Sequence, residues 1–361
     1  MNIYIFSIED TKPQECLGVL DTYSSFNFTK KFQGCGSWTL KGNFTQESRK
    51  MLSVGNLIYV SPQVTGIIHT IDFSTDDEGE TTYTAYGYEL KGILSYRIVW
   101  NTYNHNLPAD EWINGIVQEN TAGKRKLFTK HLKHSIKCPN LDKQVSYKAL
   151  DEAVQAACTA QNTSSGLLLG YDVTCDVDSG FTFSLLEGTD RTFESGNPYL
   201  ISRDMNNVST LSYAESSKSS INVVKCGGED SGTDRKFVTV GDDSLEGLQR
   251  REAFNDAKDI QSEYKDADGN EQTLSETDYK ALLTQEAETS LVADSINVDA
   301  ESVVDSSEAL QLLGAKVTLM DRDFNVRTDD FVTEVNFIDE ADGQLTTITI
   351  GEGLEAKRLI V

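Results

Sequence analysis

Ile67-Ile-His-Thr-Ile-Asp-Phe73 is the stretch on which the fold turns. Ile67, His69, Ile71 and Phe73 fall on one side of an extended chain and Ile68, Thr70 and Asp72 on the other, the two-residue period of a half-buried strand. Asp76-Asp-Glu-Gly79 follows, where glycine tolerates the positive φ that a hairpin turn requires. A second alternating run over 81–88 leads into Gly87-Tyr-Glu-Leu-Lys-Gly-Ile-Leu-Ser-Tyr-Arg-Ile-Val-Trp100. With further short strands expected at 3–6 and 56–60, residues 1–100 read as an antiparallel β domain without a catalytic constellation.

Residues 101–199 change character and predict a small α+β domain. Pro108 opens a helix to about Asn120, with Asp110 and Glu111 in the first turn, where negative charge suits the helix dipole. Trp112, Ile113, Ile116 and Val117 make its apolar face. Ser146 is read as the N-cap of a second helix ending near Gln161, with Leu150, Val154, Ala157 and Cys158 at helical spacing. Strands are expected at 167–177 and 181–186, then at 208–213, 220–226 and 236–240. Helices are expected at 245–260 and 277–291, the latter on the stripe Tyr279, Leu282, Leu283, Ala287 and Leu291. Strands return at 315–320, 331–338 and 345–350. The predicted fold is mainly β with α+β parts: two antiparallel β-barrel domains, one of residues 1–100 and one of 200–241 with 296–361, plus the α+β domain and an acidic helical insertion at 242–295.

A chain of 361 residues with 38% hydrophobic and 25% charged residues and five prolines is long enough for several domains, each with its own core. The net charge of −25 argues against tight binding to a phosphate backbone, which needs clustered Lys and Arg. No window reaches the eighteen or so apolar residues of a membrane span. The N-terminus enters a strand at once, with no basic n-region or cleavage site, so folding in the cytoplasm is expected. Six cysteines without a CxxC pair read as reduced thiols.

His131-x-x-His134 with Cys138 is the one metal-like cluster; its neighbours are basic and would repel a cation, so these read as structural or solvated histidines. The run 124–137 carries six basic residues, Lys124, Arg125, Lys126, Lys130, Lys133 and Lys137, and no acid. It reads either as a solvated loop or as a docking strip for an acidic partner, and it lacks the interleaved aromatics of a single-strand platform. Asp266-Ala-Asp-Gly-Asn270 resembles the start of a calcium loop, but position twelve is Thr277 and the glycine falls at position four, so a plain loop is expected. His69 and His105 neighbour no serine or cysteine elbow, and Cys226-Gly-Gly228 is no phosphate loop. Residues 242–308 hold nineteen acids and five bases, fourteen of the net negative charges, either a solvated face or a surface for a basic neighbour. No cofactor, metal or catalytic residue is expected.

Several segments resemble the tail hub proteins of long-tailed bacteriophages, the tail-associated baseplate hub family with two tube-like β-barrels per subunit. They are Ile3-Tyr-Ile-Phe6, Gly18-Val-Leu-Asp21, Phe32-Gln-Gly-Cys-Gly-Ser-Trp-Thr-Leu40, Ile67-Ile-His-Thr-Ile71, Gly87-Tyr-Glu-Leu90, Leu94-Ser-Tyr-Arg97 and Arg250-Arg-Glu-Ala-Phe-Asn-Asp-Ala-Lys-Asp-Ile260. The last resembles a family helix that follows the start of the second barrel. The resemblance implies a homotrimer whose six barrels form a six-fold-like ring on a hexameric tail tube or distal tail protein ring. It also implies a spike or tip protein below and passage of tape-measure protein and DNA through the ring, with DNA only in transit. The implied place is the baseplate of a virion tail, or of a phage-derived contractile injection particle, assembled in the host cytoplasm. Many relatives carry a C-terminal lysin or receptor-binding extension. This chain ends at Val361, so built-in cell-wall hydrolysis is not expected. A tail-associated hydrolase would need a paired-carboxylate or Cys/His site, and a β-domain surface adhesin would need a signal peptide.

Overall fold

The computed structural model describes residues 1–133, 135–205, 207–208, 210–232, 234–265, 270–293, 295–301, 304, 306–323 and 326–351. His134, residues 266–269 of the calcium-like loop and Val361 lie outside the described residues. Strands β1 (Ile3–Glu9), β2 (Lys12–Leu20), β3 (Ser25–Lys31), β4 (Ser37–Asn43), β5 (Leu57–Tyr59), β6 (Thr65–Thr75) and β7 (Thr81–Glu89) are antiparallel, in the order β3-β4-β7-β6-β5-β1-β2. Between β4 and β5 lies α1 (Gln46–Met51), held by a reciprocal capping box of Thr45 and Ser48.

The strand that decides the fold carries a correction. Ile67 pairs with Tyr88 and Ile68 with Gly87, but the next pair is Thr70 with Tyr86, so His69 is an extra residue. This bulge reverses the alternation. Ile68 and Ile71 pack in one core while Ile67 joins another, so Ile67 and Ile71 do not face the same way. Gly87 lies opposite the bulge because a Cβ there would sit 2.0 Å from the Ile67 carbonyl oxygen and 2.8 Å from His69 Nδ1.

The α+β layer contains β8 (Tyr103–Pro108), α2 (Ala109–Asn120), β9 (Lys130–Leu132), β10 (Asn140–Val145), α3 (Leu150–Ala160), β11 (Leu169–Asp176) and β12 (Gly180–Glu187). Pro108 stands at the N-cap of α2, and Trp112, Ile113, Ile116 and Val117 are fully buried, as the periodicity predicts. Ser146 is not the cap of α3. Its hydroxyl pairs with that of Thr102 at 2.9 Å, and Tyr147 takes a positive φ of 56°, which no right-handed helix accepts. The helix starts at Leu150, whose amide donates to the Arg97 carbonyl at 2.9 Å.

The remaining elements are β13 (Asp190–Arg191), β14 (Leu200–Ile201), β15 (Thr210–Ser216), β16 (Val223–Gly227), β17 (Phe237–Gly241), β18 (Glu252–Asp256), β19 (Glu263–Lys265), β20 (Glu271–Thr273), α4 (Glu276–Glu288), β21 (Ser295–Glu301), α5 (Ser306–Leu312), β22 (Lys316–Asp321), β23 (Val326–Glu340) and β24 (Gly343–Ile350). The fold is mainly β with α+β parts, but the two β regions do not close separately. The 15-residue β23 pairs with β22 through Val326–Phe331 and with β3 through Glu334–Glu340, which joins them into one twelve-stranded sheet. Two expectations fail further along. The helix read at 245–260 is a short 3-10 turn followed by β18, whose burial alternates residue by residue beside β16. Strands β16 and β17, expected in the second β region, form a sheet with β18 instead and share a core with α4.

Candidate interaction surfaces

Residues 124–137 leave the end of α2 and run across the α+β layer. Lys124, Lys126, Lys130, Lys133 and Lys137 are exposed and Arg125 is half-buried. Arg125 donates to Asn120 Oδ1 at 3.1 Å and to the Ile98 carbonyl, and its guanidinium lies 5.4 Å from the centre of the Trp100 ring. Arg97 binds the carbonyls of Arg125 at 2.8 Å and Lys126 at 3.5 Å. Lys126 is 3.8 Å from the Asp10 carboxylate. Among the described residues no carboxylate comes within ion-pair distance of Lys124, Lys130, Lys133 or Lys137. Thus Arg125 and Lys126 gather around Arg97 with Lys124 just before them in the chain, whereas Lys130 stands on β9 and Lys133 and Lys137 lie farther along, an extended strip rather than a cluster.

The structure adds what the linear run lacked. Trp100 is 61% exposed beneath Arg125, and Tyr147, 72% exposed, stands where its amide donates to the Val99 carbonyl. Exposed Tyr96 precedes Arg97. Tyr96 and Trp100 precede the strip by 24 or more positions and Tyr147 follows it by ten, so only the fold shows that they flank it. Trp, Tyr and Arg are the residue types that dominate interface energies.

His131 and His69 are held by hydrogen bonds and ring contacts within the fold. His131 Nε2 meets Asn114 Oδ1 at 2.8 Å, and its ring stands edge-on to Phe183 at 5.0 Å. Burial, reinforced by Lys133, lowers its pKa. His69 Nε2 meets the Tyr96 hydroxyl at 2.7 Å, and burial lowers its pKa too. Burial raises the thiols of Cys35 and Cys175 to about 12, so neither is a thiolate nucleophile at neutral pH. Among the described residues no group of three or more His, Cys, Asp or Glu could hold a metal ion.

Beneath the surface, a charge cluster joins the large sheet to the α+β layer. Lys30 (β3), Glu89 (β7), Lys91 and Asp172 (β11) are each at most 4% exposed. Lys30 Nζ lies 2.8 Å from Asp172 Oδ1 and 3.5 Å from Glu89 Oε2. Lys91 Nζ lies 3.4 Å from Glu89 Oε1 and 5.1 Å from the centre of the Tyr171 ring. Glu89 Oε1 also accepts the Gly36 amide at 2.6 Å. Two cations and two anions balance. Burial opposes the Lys30 ammonium, but Asp172 and Glu89 outweigh it and raise its pKa.

The sheet itself has two unlike faces. The row Phe337, Phe28, Trp38, Gly87 and Ile68 is buried. On the other face the row Ile338, Asn27, Thr39, Tyr86 and Thr70 and the row Glu340, Ser25, Lys41, Thr84 and Asp72 are half-buried or exposed throughout. That uncovered face is largely hydroxyl and amide, and the second row carries two acids against one base.

This architecture is that of phage tail proteins. The 43 kDa tail protein of prophage MuSo2 from Shewanella oneidensis superposes with a TM-score of 0.56 at 11% identity, covering 97% of both chains. The tail protein from Neisseria meningitidis MC58 gives 0.55 at 11%, covering 98% of this chain and 97% of that one. Prophage tail protein gp18 from Listeria monocytogenes EGD-e gives 0.53 at 10%, covering 99% and 96%. The chain belongs to the family of siphovirus ReqiPepy6 Gp37-like proteins, whose model matches residues 3–352. A search of curated proteins gave no match.

Proposed function

We propose that the chain is a structural hub of a phage tail or of a phage-derived contractile particle, without enzymatic activity. Three copies form a pseudo-six-fold ring that joins the hexameric tail tube to a three-fold spike or tip and lets cargo pass during genome ejection. The observation that carries this reading is the single sheet that joins the two β regions, whose strands β23, β3, β4, β7 and β6 bury one face and leave rows of the other polar and uncovered. A ring subunit needs such a surface, because a wall of clustered bases would form charge-assisted bonds to each passing phosphate and slow it. Hydroxyls, amides and a slight excess of acid leave the polymer in water, with repulsion reaching about 8 Å at physiological salt.

The basic strip Lys124, Arg125, Lys126, Lys130, Lys133 and Lys137 lies outside the channel in this reading, docked on an acidic neighbour in the baseplate. Trp100 supplies the apolar anchor there. The tape-measure protein and DNA touch the ring only in transit, and the site of action is the virion tail baseplate, after assembly in the host cytoplasm. Among the described residues no helix is long and apolar enough to cross a membrane.

The native mass of the purified chain tests the reading. A trimer is expected, and a stable monomer overturns it. Zymography on host cell walls is expected to show no clearing.

A further inference from the structure

The polypeptide enters and leaves residues 222–291 at one narrow place. Ile221 and Val292 exchange both backbone hydrogen bonds, at 2.7 and 2.9 Å. Behind them β15 and β21 run as an antiparallel ribbon from Ser216 paired with Ser295 to Thr210 paired with Glu301. The chain leaves and returns side by side, as in a stalk. Arg251 binds the Ser220 hydroxyl at 2.5 Å and the Ser217 carbonyl, so the 217–220 turn is tied to what lies beyond it.

Beyond the neck stands a separate core. Val224, Cys226, Ile260, Tyr279, Leu282 and Leu283 pack together, and the partly buried apolar side chains that complete this core, among them Ile221, Val238, Val240 and Leu291, belong to residues 221–291. This core is separate from the core of the α+β layer, which it meets only at its edge, where Ile260 and Leu282 line a small cavity with Leu141 and Ala160. The Tyr279 hydroxyl donates to the Ile260 carbonyl at 3.0 Å and accepts the Glu229 amide at 2.7 Å. Arg235 donates to the carbonyls of Gly227 at 2.7 Å and Gly228 at 2.9 Å and lies over the rings of Phe237 and Phe254. These ties are internal, so the unit is stiff.

Its contacts with the α+β layer are of another kind. Lys148 Nζ lies 2.9 Å from Asp259, with both side chains nearly half exposed, and Lys143 Nζ lies 4.0 Å from Glu286. Gln144 Oε1 accepts the Gln261 amide at 3.0 Å, and its Nε2 donates to the Gln261 carbonyl at 3.3 Å. Beside these contacts a cleft of about 620 Å³ opens between α3 and β10 on one side and the end of α4 on the other. Water reaches the seam, and an ion pair as exposed as Lys148–Asp259 contributes at most about 1 kcal/mol.

We propose that the described residues of 222–291 form a rigid arm, hinged where the β15–β21 ribbon meets the 217–220 turn. An ionic latch, Lys148–Asp259 with Lys143–Glu286, holds the arm against the α+β layer and opens without unfolding it. This goes beyond the hub reading and does not depend on ring formation. Hydrogen exchange on the full chain tests it, comparing the Gln261 amide at the seam with the amides of 223–227 in the arm's sheet. Lys148→Glu is expected to speed exchange at Gln261 about threefold, the equivalent of one exposed ion pair, and leave 223–227 unchanged. The double variant Lys148→Glu/Asp259→Lys restores the original rate. Exchange at Gln261 that ignores Lys148→Glu overturns the proposal. So does equal acceleration at 223–227, because the opening would then be unfolding.

Discussion

The α+β layer is fastened to the large sheet and to the 222–291 unit by ion pairs in both cases, and the two joints are nevertheless opposites. At the first, Lys30, Glu89, Lys91 and Asp172 have lost their water and can be satisfied only by one another and by nearby backbone groups. At the second, Lys148 and Asp259 face solvent that replaces either partner at once. The lesson is that the strength of a charged joint is set by what surrounds its members after it breaks. A buried pair that loses one partner leaves a bare charge in a poor solvent, while an exposed pair leaves two hydrated ions.

Lys30→Met gives the largest expected effect and the most direct attack on this contrast. It strands Asp172 and should cost about 3–5 kcal/mol in denaturant unfolding, with the double variant Lys30→Met/Asp172→Leu recovering a substantial part. A single-variant cost below about 1 kcal/mol would show that water reaches the cluster after all. The joint also has a pH signature. The raised pKa of Lys30 means its stabilisation is fully present below the ordinary lysine pKa of about 10.4 and is lost as pH rises through the higher folded value. Alkaline melting curves of the wild type should bend there, and those of Lys30→Met should not.

Gly87→Ala attacks the same joint from the bulge, which sends Ile67 into the α+β core. The methyl group has no room against the Ile67 carbonyl, and a loss of about 1–3 kcal/mol is expected by calorimetry. His131 gives a smaller effect of opposite pH sense. Its lowered pKa means the unfolded chain takes up a proton first, so its contribution is present above about pH 6.5 and falls as the solution is acidified below that value. His131→Gln should flatten that part of the stability–pH profile.

The smallest effects on stability belong to the surface. Lys124→Glu with Lys126→Glu should shift unfolding by no more than about 0.5 kcal/mol, yet weaken the docking proposed for the strip on an acidic tail protein in a pull-down. Normal docking with these reversals would move the interface elsewhere.

How much of this was legible in the sequence depends on the range of the signal. Helix α2 and the Tyr279–Leu283 stripe of α4 are local patterns, and the fold keeps them. The segment 250–260 misled because its strand lies parallel to β16 and owes its state to that neighbour. Nothing local marks His69 as an extra residue, since a bulge exists only relative to the partner strand. The buried charges were the least visible. Lys30 and Asp172 look like surface residues until a separation of 142 positions closes. The strip was legible as charge but not as a surface, for Trp100 meets Arg125 only in the folded chain.

Strand β23 has a mechanical consequence. It is bonded to β22 near its start and to β3 near its end. A pull along its axis would therefore shear many backbone hydrogen bonds together instead of peeling them off one after another. Tension entering one β region would reach the other along the polypeptide backbone itself, without relying on side-chain contacts. A tail fitting built in this way would behave under recoil as a single spliced beam, with its compliance left to the parts hung from its sides.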